Sequence, residues 1–263
     1  MSKNLRLKNK IALVTGGGSG IGRAASILMA REGASVIVSN DKNIQAGKET
    51  VEIIKSENND AAFLRCDVSN SGEVQKLFSN IQEKYGCLDI LFANAGITNY
   101  IELEEIDESI INSIIDINLK GCLFCAKYAI PLLKKSGRGS IVFCSSVLNM
   151  IGLTGAAPYC ASKAGIIGIM NALAVELGKY NIRVNCVSPG AINTPMRKMD
   201  ECFVNENTDL NKLRQNLCAS NALGRIAEPE EVANAVVWLS SEEASYITGA
   251  NLFIDGAYTV LKR

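Results

Sequence analysis

Ile11-Ala12-Leu13-Val14-Thr15-Gly16-Gly17-Gly18-Ser19-Gly20-Ile21-Gly22 begins as a short apolar run and passes without a break into glycines. The first five residues read as a buried strand, because the run is apolar, partly β-branched and stops at glycine. Arg23 to Arg31 then reads as an amphipathic helix. Strand, glycine turn and helix opening together form a setting in which backbone can approach a pyrophosphate closely. The helix N-terminus supplies N–H donors and a favourable dipole there. The spacing is T-G-x-x-x-G-x-G, which is neither G-x-G-x-x-G nor a P-loop ending in G-K-[ST].

The alternation continues outward from this stretch. Ser35–Ser39 reads as a second strand ending in Asn40-Asp41, about 20 residues past the glycines, where a dinucleotide fold places an acid on the adenosine ribose. Next come a helix over Asn43–Ser56, a strand over Ala61–Cys66, a helix over Gly72–Tyr85 and a strand over Leu88–Phe92. A long helix, Glu108–Lys135, repeats Ile110, Ile111, Ile114, Ile115 and Leu119 at helical spacing. Asn118 interrupts that series, and a polar residue facing a core needs partners. Strands at Ile141–Ser146, Arg183–Val187 and Leu252–Gly256 alternate with helices at Tyr159–Leu177 and Glu228–Ser240. The pattern predicts an α/β chain with one domain over residues 1–263. Its architecture would be a Rossmann-type, doubly wound, seven-stranded parallel sheet with helices on both faces.

Composition narrows the function. Lys+Arg and Asp+Glu number 27 each, so no net field draws nucleic acid or an anionic membrane. The apolar runs read as too short for a membrane span, and the basic start, Met1–Lys10, lacks a signal peptide's apolar stretch. A cytoplasmic protein is expected. Nine cysteines form no zinc pattern beyond Cys122-x-x-Cys125, and most lie among apolar residues. No metal site is expected. The chain has no histidine, so an enzyme here must move its proton through Tyr, Lys, Asp, Glu or Cys.

Tyr159-Cys160-Ala161-Ser162-Lys163 meets that requirement. On a helix, Tyr159 and Lys163 share one face a turn apart. A cation and a helix N-terminus both favour the phenolate, which makes the tyrosine a usable acid and base. Ser145-Ser146, at a strand end, offers a hydroxyl for a substrate oxygen.

In order along the chain stand Thr15-Gly16 through Gly20-Ile21-Gly22, Cys66-Asp67-Val68, Ala93-Asn94-Ala95-Gly96, Ser146 with Tyr159-x-x-x-Lys163, and Pro189-Gly190-Ala191-Ile192-Asn193-Thr194. This series resembles the classical short-chain dehydrogenases/reductases, from Lys10 to Gly256. Ala93 stands where that family has a first Asn, and Ala257 where it usually has a second Gly. The resemblance implies hydride transfer with a nicotinamide cofactor. Gly16, Ser19, Gly20, Ile21, Gly22, Asn40, Asp41, Cys66, Asp67, Val68, Asn94, Ala95, Gly96, Pro189, Gly190, Ile192 and Thr194 would line its site, with Tyr159 and Lys163. Family spacing selects Ser146 over Ser145 to orient the substrate oxygen. It also gives Asn118 a place in the proton relay, with Tyr159 as proton carrier and Lys163 lowering its pKa. Asp41 repels a 2′-phosphate and no arginine stands beside it, so the expectation is NAD, with NADP second through Lys42.

The substrate is expected to be a small-molecule alcohol or ketone. Ile151, Leu153, Met196 and Met199 suggest an apolar pocket under a lid at residues 190–220, and thus a hydrophobic secondary alcohol, hydroxysteroids included. The other enzyme readings are a 3-oxoacyl-thioester reductase and a polyol dehydrogenase. A non-catalytic dinucleotide sensor is the reading from another class. The helix Tyr159–Leu177 is apolar nearly all round, with Ala161, Ala164, Gly165, Gly168 and Ala172 on one stripe. Burial against a second copy would satisfy it, predicting a homotetramer or a homodimer.

Overall fold

The computed structural model describes residues 5–196, 215 and 218–261. Seven parallel strands form one sheet in the order β3-β2-β1-β4-β5-β6-β7. They are β1 Ile11–Thr15, β2 Ser35–Asn40, β3 Ala61–Arg65, β4 Ile90–Ala93, β5 Gly139–Cys144, β6 Ile182–Pro189 and β7 Asn251–Ile254. The connecting helices are α1 Gly20–Arg31, α2 Ile44–Ser56, α3 Ser71–Tyr85, α4 Glu108–Ile115, α5 Gly121–Ser136, α6 Ala157–Leu177 and α7 Pro229–Ser240. The strand order reverses between β1 and β4, which opens a crevice beyond their carboxyl ends.

Successive strand residues face opposite layers. Leu13 joins a core with Leu77, Phe78, Leu132 and Ile166 of α3, α5 and α6. Ala12 and Val14 join another with Met29, Ile54 and Val236 of α1, α2 and α7. The strands therefore read as continuous apolar runs, because neither face meets water. Full burial of a side chain such as Phe92 or Phe143 contributes about 1.5–3 kcal/mol.

Local chemistry sets the helix ends. Asn43 Oδ1 accepts the Ala46 N–H at 3.0 Å to start α2, and Asn70 Oδ1 accepts the Gly72 N–H at 2.9 Å to start α3. No side chain caps α1 at Ser19. Its leading N–H groups are thus left to whatever occupies the crevice.

Two expectations need correction. The helix read as unbroken over Glu108–Lys135 is split by a π turn at Asp116–Lys120, with Asn118 inside it. A π turn inserts an extra residue, which turns a side chain out of the regular helical register. Second, Glu108–Ser136 and Ala157–Tyr180 are each long and apolar enough to cross a bilayer. Their few polar residues are too sparse to break the apolar run, contrary to the sequence reading. Both segments pack on the sheet through Cys125, Ala129, Leu132, Ile166 and Met170. Most of the 190–220 span read as a lid, Met199 included, lies outside the described residues.

Candidate active site

β1 delivers the glycines to the crevice. Gly16 has φ +66°, and a Cβ there would stand 3.0 Å from both the Ala95 Cα and the Asn94 Nδ2. A Cβ on Gly22 would lie 2.2 Å from the Gly16 carbonyl oxygen, so only hydrogen fits where α1 starts. Gly20 faces Thr194, whose Cγ2 lies 3.0 Å from the Cβ position of Gly20. The Pro189–Thr194 segment therefore closes on the glycine loop. Gly190 N–H donates to the Ile254 carbonyl, and Asn193 N–H to that of Ala227. Close backbone, an uncapped helix start and a covering segment suit the pyrophosphate of a dinucleotide.

Asn94 braces this cradle. Its Nδ2 donates to the Thr15 and Gly16 carbonyls at 3.1 and 3.3 Å, while Thr15 Oγ1 accepts the Asn94 and Ala95 N–H groups. Ala93, the departure from the family motif, is a buried strand residue and takes no part in that bracing. Cys66 is buried, and burial pushes its thiol up to about 12. Asp67 Oδ1 accepts from Ser69, and the Asp67 N–H donates to Glu73 Oε2 at 3.0 Å. Val68 packs under Gly121, with Cγ2 2.9 Å from the Cβ position there.

α6 carries the polar centre. Tyr159, Ser162 and Lys163 are all buried on one face, at 9%, 0% and 4% exposure. The Lys163 ammonium lies 5.5 Å from the Tyr159 ring centroid and donates to the Cys144 carbonyl at 2.8 Å. Burial works to lower the Lys163 pKa, but attraction to Tyr159, aided by Cys144, Cys122 and Cys186, outweighs it and leaves the pKa raised. The pairing with Tyr159 therefore favours the ammonium form of Lys163 when the phenol is ionised. Burial pushes the Cys122 thiol up to about 12, so that cysteine behaves as a neutral core group.

The geometry also separates the two serines. Ser145 Oγ donates to the Lys163 carbonyl at 2.9 Å and accepts from Asn149 Nδ2 at 3.0 Å. It bolts α6 to β5. Ser146 Oγ accepts the Leu148 N–H at 3.2 Å, which leaves its own proton available for a ligand oxygen.

Asn118 is completely buried. Its Oδ1 accepts the Ile97 N–H at 2.8 Å, and its Nδ2 donates to the Ile97 carbonyl at 2.9 Å and to Ser162 Oγ at 3.1 Å. Ser162 Oγ in turn donates to the Tyr159 carbonyl at 2.7 Å. Gly96 separates Asn118 from Lys163, since its Cβ position lies 3.2 Å from Asn118 Oδ1 and 3.6 Å from Lys163 Nζ. Beyond Gly96, Ile101 N–H donates to the Gly155 carbonyl, and Thr98 Oγ1 and Asn99 Oδ1 are buried without a hydrogen-bond partner.

At the end of β2, Asn40 Nδ2 donates to the Asn43 carbonyl at 2.8 Å, with its amide against Gly18. Contrary to expectation, an arginine does stand beside Asp41. Arg65 NH2 lies 2.7 Å from Asp41 Oδ1, because the register of β2 and β3 sets Arg65 beside Asn40. Sequence reasoning missed Arg65, Thr98, Asn99 and Ser162. Ser162 carried a signal, being the third residue after Tyr159 on the same helix face. Arg65 carried none short of strand pairing. Among the described residues no cluster of His, Cys, Asp and Glu could hold a metal ion.

Residues 16–259 match the family model described as enoyl-(acyl carrier protein) reductase. A 3-oxoacyl-[acyl-carrier-protein] reductase from Thermotoga maritima is 36% identical over 97% of this chain and 100% of its own length. A 3beta-hydroxysteroid dehydrogenase from Mediterraneibacter gnavus is also 36% identical, over 97% of this chain and 96% of its own. A short-chain type dehydrogenase/reductase from Mycobacterium marinum superposes with a TM-score of 0.90 at 30% identity, covering 98% of both chains.

Proposed function

The chain belongs to the short-chain dehydrogenase/reductase family of NAD(P)-dependent oxidoreductases, and from that premise we propose that Tyr159, Lys163, Ser146 and Asn118 serve interconversion of a hydrophobic secondary alcohol and its ketone. The nicotinamide cofactor supplies the hydride acceptor or donor. Gly16 to Gly22 cradle the pyrophosphate, Asn40 and Asp41 face the adenosine ribose, and the backbone from Asn94 to Gly96 and from Pro189 to Thr194 flanks the rest.

The chain's own residues handle the proton and the oxygen. Ser146 donates its hydroxyl proton to the substrate oxygen and fixes its position. Tyr159 takes the alcohol's proton during oxidation and returns it during reduction. Lys163, as the ammonium one helical turn from Tyr159, favours the phenolate. Asn118 holds the Ile97 backbone and Ser162, fixing the wall behind the tyrosine. The observation that carries the reading is a buried Tyr159–Lys163 pair whose lysine is tied to Cys144 and Ser145, the two residues before Ser146, which has a proton to spare.

Met150 and Leu153 stand 69% and 49% exposed beside the Ser146 turn, and Met196 follows the Pro189–Thr194 segment. Such apolar surface supports a hydrophobic substrate, and the similarity to a 3beta-hydroxysteroid dehydrogenase agrees with one. A 3-oxoacyl-thioester reductase is the second reading, supported by the equally similar acyl-carrier-protein reductase. The cofactor is NAD, with NADP accepted, and the assembly is a homotetramer built on α5 and α6. Val175 and Leu123 support that assembly, being 85% and 45% exposed on those two helices.

The test measures turnover of cyclic secondary alcohols, hydroxysteroids, polyols and 3-oxoacyl thioesters with NAD and NADP. Hydroxysteroids and cyclic alcohols should lead. Fastest turnover of a thioester would install the second reading. Nucleotide binding without turnover of any substrate would point to a sensor.

A further inference from the structure

We propose that Arg65 is a specificity-determining residue: by holding the Asp41 carboxylate, it sets whether a 2′-phosphate on the adenosine ribose is tolerated. The proposal rests on the reading of the glycine loop as a dinucleotide site.

Three charged side chains meet at the end of β2 and β3. Arg65 NH2 lies 2.7 Å from Asp41 Oδ1, and Arg65 NH1 lies 3.4 Å from Glu73 Oε2. Glu73 is itself fixed, since the same oxygen accepts the Asp67 N–H. The guanidinium thus spans from Glu73, which is tied to the Asp67 backbone, to Asp41 at the end of β2. Arg65 is half exposed and Asp41 about a quarter exposed, so the pair borders solvent where the ribose would lie.

Asn40, the residue in line with the family's ribose acid, is neutral. Its Nδ2 is committed to the Asn43 carbonyl, which leaves its carbonyl oxygen to accept a ribose hydroxyl. Discrimination against a phosphate therefore falls to Asp41. A bare carboxylate there would repel a phosphate that carries nearly two negative charges. Paired with Arg65, its charge is offset in part, since the guanidinium also serves Glu73. Two like charges some 6–8 Å apart near a surface interact by roughly 1 kcal/mol at effective dielectric constants between protein and water, which is about five- to tenfold in affinity.

The experiment is calorimetric titration of the full-length protein with NADH and NADPH at low ionic strength. Arg65→Met should raise the NADPH Kd roughly five- to tenfold and leave the NADH Kd within about twofold. Arg65→Lys, keeping the charge, should recover most of the loss. In an Asp41→Asn background the Arg65→Met effect should vanish, because the carboxylate it neutralises is gone. Added salt should shrink the effect in the single variant. Equal losses for both nucleotides would overturn the proposal, as a purely structural role predicts. So would an NADPH loss that persists with Asp41→Asn, which means direct contact with the phosphate, or a wild type that binds NADH and not NADPH. A wild type that binds neither nucleotide would overturn the dinucleotide reading itself.

Discussion

Replacing Asn118 with alanine tests whether the π turn exists to seat one amide. The side chain makes three hydrogen bonds, to the Ile97 N–H, the Ile97 carbonyl and Ser162 Oγ, and none of its surface is exposed. Alanine leaves the Ile97 donor and acceptor and the serine without that partner. Each orphaned group costs about 1–3 kcal/mol, and water entering the gap offsets part of it. The net cost should be about 3 kcal/mol, or a fall in Tm of roughly 5–6 °C for a chain of this size. Scanning calorimetry of wild type and variant gives that figure. Turnover should fall further than the remaining folded fraction accounts for, because the Ile97 loop and the Tyr159 turn lose their common tie. A Tm loss under about 2 °C would refute the argument, since the amide would then be carrying no buried polar load. Asn118→Asp is the control: it can still accept from Ile97 but cannot donate to the carbonyl or to Ser162, and should be destabilised comparably.

Four further outcomes are expected. Tyr159→Phe should keep its Tm and NADH affinity yet retain less than about a tenth of wild-type kcat. Gly22→Ala drives a methyl to 2.2 Å from the Gly16 carbonyl oxygen, and titration should show NADH affinity reduced more than about tenfold. Gly168 has open space around it on the outer stripe of α6, so Gly168→Glu should fold normally and dissociate the assembly in light scattering. A wild type that scatters as a 28.2 kDa monomer would sink the assembly proposal. Ala257 sits at φ +67°, which costs a side-chain-bearing residue about 1–2 kcal/mol. Ala257→Gly should raise stability by up to about 1 kcal/mol after the entropic cost of glycine is subtracted, as read from denaturant midpoints.

Much of this was legible because it depends on local sequence. The Ile11–Thr15 run and the glycines after it specify strand, turn and helix within a dozen residues, and the repeated alternation leaves a parallel sheet as the outcome. Tyr159 and Lys163 could be paired on paper because a helix fixes the spacing of its own face. What stayed hidden depends on partners brought together by the sheet. Arg65 reaches Asp41 across two strands, 24 residues apart. The π turn left only one trace in the sequence, Asn118 standing polar within the apolar series, and a lone polar residue does not say that an extra residue has shifted the helical phase there. Ser145 and Ser146 were indistinguishable as residues. Their hydrogen bonds separate them, one saturated and one with a proton to spare.

The same contrast divides the site by purpose. On α6, Tyr159, Ser162 and Lys163 occupy one face, and this stretch of the helix is tied by three hydrogen bonds to two other parts of the chain. Ser162 accepts from Asn118 in the π turn, the Lys163 ammonium reaches the Cys144 carbonyl, and Ser145 Oγ returns to the Lys163 carbonyl. Rotating the helix by a few degrees would strain all three ties at once. The groups proposed to handle the proton are therefore held rigidly, as preorganised chemistry requires. Nothing in that arrangement faces outward far enough to distinguish one alcohol from another. Selection must come from the rim: the loop over Ile97–Ile101 with its buried, unpartnered Thr98 and Asn99 oxygens, the exposed Met150 and Leu153, and the segment beyond Thr194. Loops carry such variation at little cost to the core. Exchanging residues 150–154 should accordingly change which alcohol is turned over while leaving cofactor binding in place. The converse, altered cofactor affinity with an unchanged substrate order, would show that the rim and the cradle are coupled.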